Sequence, residues 1–187
     1  MATRAVITTG AVFTFFQVLP HAPVGASEVH LIFGTSLLLL FGPGSAAIGL
    51  AAGLLLQGAL FAPTDLPQYG INVTTLLVPL FAMSLVAGRV IGRETAYVDL
   101  RYSQVLRLSA TFQAGIVGWV AFWVFYGEGL TALAVRDVAT FGVAYLAVIL
   151  VEPVVDLGIL KGAKSLRGRR PAVFVPRLTQ GASAQPA

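Results

Sequence analysis

The chain contains no cysteine, which excludes structural disulfides, thiolate metal sites and cysteine nucleophiles. Any metal chemistry must therefore use nitrogen and oxygen donors. Charge is scarce too: Asp, Glu, Lys and Arg make up 11% of the 187 residues, against 57% apolar residues. A soluble domain cannot cover its surface with so little charge, and with a mean hydropathy of +0.85 lipid is the solvent expected for the outer faces of most segments. No nucleophile stands beside a base, no glycine-rich loop is built to cradle phosphate, and nothing resembles a nucleic-acid-binding module. The chain does not read as an enzyme.

What charge there is falls unevenly. Residues 161–187, "KGAKSLRGRRPAVFVPRLTQGASAQPA", carry six Lys or Arg and no acid, whereas residues 1–160 carry six basic and eight acidic residues. With its Pro, Gly, Ala and Ser, the 161–187 segment reads as a disordered basic tail attracted to anionic lipid headgroups. Residues 1–160 form one membrane-embedded domain.

The fold class is all-α, a polytopic membrane helical bundle with six predicted transmembrane helices at roughly 4–20, 29–42, 45–62, 71–90, 104–126 and 138–160. The second is short: at 1.5 Å per residue it covers about 21 Å of a hydrocarbon core near 30 Å thick, so it enters late or packs inside the bundle. "GPG" at 42–44 predicts a tight turn into the third segment, where Ser45, Gly49 and Gly53 have the small-xxx-small spacing that lets a neighbour approach closely. Arg4, the cluster Arg89, Arg93, Arg101 and Arg107, and the basic tail fall on one side if six spans alternate. The connections at 21–28 and 63–70 contain no Lys or Arg. The positive-inside rule then gives an N-in, C-in, multi-pass protein of the cytoplasmic (inner) membrane.

Both histidines, His21 and His30, lie with Glu28 in "HAPVGASEVHLIFG", at the outer ends of segments one and two. Asp65, Gln68, Tyr69 and Asn72 lie on the same side, as an uptake protein or receptor requires. Neutral imidazole is the commonest ligand for divalent nickel, cobalt, copper and zinc, and a loop with Pro23 and Gly25 can bring His21 towards His30. A plainer alternative has Ser27 as a helix N-cap, Glu28 offsetting the positive end of the helix dipole, and His30 hydrogen-bonding among headgroups. Gln57, Gln113, Glu152 and Asp156 fall within spans and must be bonded or hydrated. An internal ion pair of Glu152 and Asp156 with Arg107 is expected, with ion passage or partner coupling as the alternative. Trp119, Trp123 and Tyr126 read as an interfacial aromatic belt.

"LPHAPVGASEVHLIFGTSLLLLFGPGSAAIGLAAGLLLQGALF", followed by "LPQYGINVTTLLVPLFA", resembles the CbiM/NikM family, the substrate-binding membrane components of energy-coupling factor (ECF) cobalt and nickel transporters. The resemblance is close over residues 19–83 and looser in the later helices. Its elements are the H-x-P-x-G-x-x-x-V-H block, a short helix ending in F-G-P, the L-L-L-Q-x-x-L-F helix, and G-x-N-x-x-x-L. It implies capture of divalent cobalt or nickel by nitrogen ligands and delivery through a transmembrane coupling subunit driven by two ATPases. The Co(II) or Ni(II) is transported substrate, and no cofactor is implied. The ligating histidine corresponds to His30. His21 and Asn72 match surrounding motif positions as site-lining or indirect candidates, and Glu28 joins them by proximity and charge.

The family begins Met-His and uses its terminal amine and that second-residue imidazole as ligands before an additional first helix, whereas this sequence reads "MATRAV" and shows the usual seven spans less one. An upstream Met-His helix that completes the site is therefore expected. A diverged substrate, or ligands supplied by a partner subunit, are the other readings within the family. A different class is a non-transport membrane scaffold or accessory subunit that kept the fold and lost the metal site. Sidedness alone suggests that the loop 89–107 and the tail contact the coupling subunit. Cobalt and nickel both accept imidazole nitrogen, so the residues do not choose between them.

Overall fold

Where a backbone has no water to bond, helices satisfy its N–H and C=O groups within each segment, and this chain follows that rule almost throughout. The computed structural model describes residues 1–166 and 173–180. Its main elements are α1 (Ala2–Val18), β1 (Ala22–Val24), β2 (Ser27–Val29), α2 (Gly34–Phe41), α3 (Pro43–Leu60), α4 (Tyr69–Val90), α5 (Tyr102–Glu128) and α6 (Ala132–Ala163). Four helices are long and apolar enough to cross a membrane: α3, α4 with the 3-10 turn that leads into it, α5, and α6. Of the six expected spans these are the last four. α1 has 17 residues and lies along α3.

The second expected span differs most. Residues 27–29 do not begin a helix with Ser27 as N-cap; they form β2, antiparallel to β1 with Val24 opposite Ser27. Gly25 at φ 59° opens the two-residue turn between them, a backbone angle that glycine adopts without the Cβ clash other residues suffer. Helix starts only at Gly34, after Phe33, whose φ of 52° is left-handed and which divides the extended segment from α2. α2 itself has eight residues, about 12 Å at 1.5 Å per residue, too short to cross alone.

The segment nevertheless spans much of the bundle's depth. At one end the His30 ring contacts Phe16, near the end of α1. At the other, the Phe41 carbonyl faces the Arg4 guanidinium at 3.5 Å, near the start of α1. Every α2 residue but Leu40 is buried, and α1, α3, α4, α5 and α6 all pack against it. A helix apolar on all sides belongs in a core, and α2 is the core's axis.

Gly42 at φ 84° ends α2, and Pro43 begins α3 in the first helical turn, where its missing N–H costs nothing. The turn sends α3 parallel to α1. Along the small-residue stripe the Thr8 hydroxyl donates to the Ser45 carbonyl at 2.7 Å, Gly49 faces Thr8, and Gly53 faces Val12. α4, α5 and α6 follow as antiparallel neighbours: Gly115 lies against Pro79, and Val117 against Gly142.

The chain thus has one basic end and one His30 end. Arg4, Arg89, Arg93, Arg101, Arg107 and Lys164 lie at or near helix starts and stops on the basic end, while the other end carries only Arg136, in the second turn of α6.

The tail departs from expectation. α6 runs on to Ala163, and residues 173–180 pack across the basic end. Val175 N–H donates to the Leu40 carbonyl at 2.9 Å, Arg177 donates to the Gly92 carbonyl at 2.9 Å and lies over the Tyr97 ring, and Leu178 is buried. The apolar residues of "VFVPRL", set among the tail's charges, supply this docking. Residues 167–172 and 181–187 of the expected tail lie outside the described residues.

A Cβ at Gly49 would sit 2.8 Å from the Thr8 carbonyl carbon, whereas one at Gly118 would meet nothing within 4 Å. Overpacking costs about 1–3 kcal/mol and exceeds the gain of about 1 kcal/mol in helix propensity. Gly49→Ala is therefore expected to lower the melting temperature in detergent while Gly118→Ala holds or raises it. Equal shifts would show that α1 and α3 do not approach this closely.

Candidate functional site

At the His30 end the β-hairpin, the start of α4 and the nearby turns of α3, α5 and α6 surround a cavity of about 660 Å³. His30, Glu28, Gln57, Asn72, Gln68 and Trp123 are among its polar lining residues. His30, Glu28 and Asn72 thus line one cavity. His21 is outside the lining.

His30 is held on all sides. Its side chain is 14% exposed, and its ring packs on Phe16 at 4.7 Å and on His21 at 5.2 Å. Nε2 lies 3.1 Å from a Glu28 carboxylate oxygen. A neutral imidazole meets this arrangement with Nε2–H donating to Glu28 and its lone pair on Nδ1, which is buried and has no hydrogen-bond partner. Carboxylate on one nitrogen and a free lone pair on the other is the arrangement in which a carboxylate orients a metal-binding histidine.

The two histidine rings lie almost parallel, 20° apart, and the His21 Nδ1 is 3.1 Å from the Leu19 carbonyl. Imidazole binds metal through a lone pair in the ring plane, so stacked rings do not aim two lone pairs at one ion. This favours His30 over His21 as a ligand and gives His21 a packing role. Among the described residues no three His, Asp or Glu side chains converge as a metal cage. The remaining ligands of a bound ion would be amide oxygens such as Asn72 or Gln57, water, or donors from another source.

The segment carrying His30 is fixed from behind. The Glu152 carboxylate on α6 accepts from the Ile32 N–H at 2.8 Å and the Phe33 N–H at 3.0 Å, and its second oxygen accepts from the Gln113 amide on α5. One turn along α6, Asp156 accepts from the Ser36 hydroxyl at 2.5 Å. The expected ion pair with Arg107 does not form: Arg107 is exposed on α5, and both carboxylates turn inward to α2 because its backbone and hydroxyl donors lie there. The Tyr145 hydroxyl, on the cavity wall, meets the His30 backbone.

Tyr145 was not singled out from the sequence; its one signal was a lone hydroxyl in the apolar run of α6. Trp123, expected in an interfacial belt, does meet Phe122 and Tyr126 edge-on, but it also lines the cavity, with its indole N–H buried and unpaired.

Residues 2–170 match the family model described as the cobalt uptake substrate-specific transmembrane region, CbiM. The chain belongs to the CbiM family. No curated protein and no solved structure matches it. As a CbiM region it is a membrane component of cobalt uptake, from a family of transporter components and not of enzymes. The structural elements at the cavity, from the β-hairpin to α6, all fall inside the matched residues.

Burial pushes the His30 imidazole below its ordinary value of 6.5; the Glu28 carboxylate pulls it back up, and His21 adds to the lowering. His30 is therefore neutral at pH 7. Because the folded imidazole resists protonation more than the unfolded one, its contribution to stability is full above pH 6.5 and is lost as pH falls from there through its folded value. Glu28→Gln removes the raising charge, so an NMR titration should find His30 shifted to still lower pH. A shift upward would show that Glu28 does not face the ring.

Proposed function

We propose that this CbiM chain is the substrate-capture component for uptake of Co(II) or Ni(II) across the cytoplasmic membrane, with His30 as a metal ligand. The observation that supports it best is the His30 imidazole itself, neutral, carboxylate-oriented, with a buried and unpaired Nδ1, in the wall of a polar cavity. The cavity end is the outer face and the basic end the cytoplasmic one, in keeping with the retention of Lys and Arg on the cytoplasmic side. Ions enter from outside into the cavity, where Glu28 supplies negative charge at the rim, Asn72 and Gln57 supply oxygen donors, and His30 supplies nitrogen. Motive force comes from separate ATPases through a transmembrane coupling subunit of the ECF type. That partner meets the basic end, where the loop 91–101 and residues 173–180 form a surface around Arg93, Arg101 and Lys164.

A second reading follows from the absence of a three-residue acidic or histidine cage among the described residues. In it the chain is a scaffold that kept the fold without holding metal.

Titration of Co(II) into the detergent-solubilised protein separates the two. Capture at His30 predicts binding that weakens by more than about 10- to 100-fold in His30→Ala, the range typical of losing even a residue that only orients a metal ligand. His21→Ala should change it far less. Equal affinity in wild type and His30→Ala would remove His30 from the site, and no binding by either would favour the scaffold.

A further inference from the structure

Beneath the cavity, Glu152 and Asp156 lie one turn apart on α6, and neither has any exposed surface. Ile32 and Tyr145 form the cavity wall here, and the Ile32 N–H is itself bonded to Glu152, so this pair begins one peptide behind the lining. Salt bridges among the described residues, His30–Glu28 and Lys164–Asp99, leave both carboxylates out. Two formal negative charges in a bundle core are costly without a counter-charge.

The neighbouring helix supplies more oxygen and no charge. Gln113 on α5 donates its amide to Glu152, and this contact fixes the antiparallel register: one turn further in, Ser109 comes level with Asp156. Gln113 and Ser109 are both fully buried. The Gln113 carbonyl oxygen, the Ser109 hydroxyl and the second oxygen of Asp156 have no hydrogen-bond partner. Buried polar atoms are normally paired, and these three unpaired oxygens lie within about one turn of one another along the α5–α6 contact, where a positive centre would satisfy them.

We propose that Glu152, Asp156, Gln113 and Ser109 form an internal site for a divalent cation, which the transported ion occupies after leaving His30. Two carboxylates balance a charge of +2, and amide and hydroxyl oxygens complete a hard-donor shell that Co(II) accepts without holding it as tightly as nitrogen ligands would. An ion here draws on the same carboxylates that hold Ile32, Phe33 and Ser36. Its arrival therefore loosens the segment carrying His30, and its departure restores the grip.

This inference rests on the reading that a divalent cation passes through the chain, and Co(II) titration of the full chain by calorimetry in detergent tests the two separately. His30→Ala should keep one Co(II)-binding event, and adding Asp156→Asn should weaken that event by about tenfold or more. Ser109→Ala in the His30→Ala background removes one unpaired hydroxyl, leaves the melting temperature near that background's, and should weaken the event by a smaller factor. If His30→Ala abolishes all Co(II) binding, the internal site is wrong while capture at His30 stands. If wild type and His30→Ala bind alike and both weaken with Asp156→Asn, the internal site stands and His30 does not. Should Asp156→Asn fail to fold, Ser109→Ala decides, and an unchanged isotherm overturns the site.

Discussion

The Glu152 carboxylate accepts two successive backbone N–H groups from residues 120 and 119 positions earlier in the chain, and much else depends on that bond. Ile32 and Phe33 leave the regular ladder where the extended segment meets α2, so their N–H groups would be orphaned in the bundle core. Glu152 satisfies both. It also holds Phe33 in a left-handed conformation that costs an ordinary residue about 1–2 kcal/mol, and hydrogen bonds to a charged group are each of at least that order. With Phe33 fixed, α2 points down the bundle axis and His30 sits in the cavity wall. Asp156 repeats the arrangement one turn on, through Ser36. The α6 carboxylates are thus the frame of the candidate metal site as well as a site of their own.

A short axial helix also explains how the five longer helices divide. α2 is apolar on all sides and surrounded, so its partners need only small or apolar inner faces. α1 and α3 meet through the Ser45, Gly49 and Gly53 stripe, closely enough that Thr8 bonds across to a backbone carbonyl. α4 and α5 meet through Pro79 and Gly115. Close backbone approach is how helices gain packing energy where lipid offers side chains no hydrophobic penalty. The buried carboxylates and their amide partner are kept to the interior between α2, α5 and α6. Basic residues are kept almost wholly to the opposite end, where 173–180 clamp the C-terminal end of α2 through Leu40.

Much of this was legible in the sequence because it rests on local chemistry. Apolar runs marked the four long helices to within a few residues at most ends, although α6 begins at Ala132 and extends further than hydropathy suggested. Gly42 and Pro43 announced the α2–α3 turn, and the motifs around His30 announced the CbiM family. The hairpin at 22–29 was less visible, since "SEV" fits a helix start as well as a strand, and pairing with Ala22–Val24 rather than local propensity decides it. Docking of 173–180 was hidden in a tail whose composition was dominated by charge.

The sequence by itself determined the solvent the chain folds in, the exclusion of sulfur from its chemistry, the long helices and the segregation of positive charge, since each follows from residue type and spacing along one stretch. Tertiary structure alone decided which nitrogen of His30 is free, that His21 stacks on its neighbour instead of converging with it, and that Glu152 and Asp156 face α2 and not Arg107. Those outcomes depend on which donors from distant segments reach a buried lone pair first, and no local pattern records that.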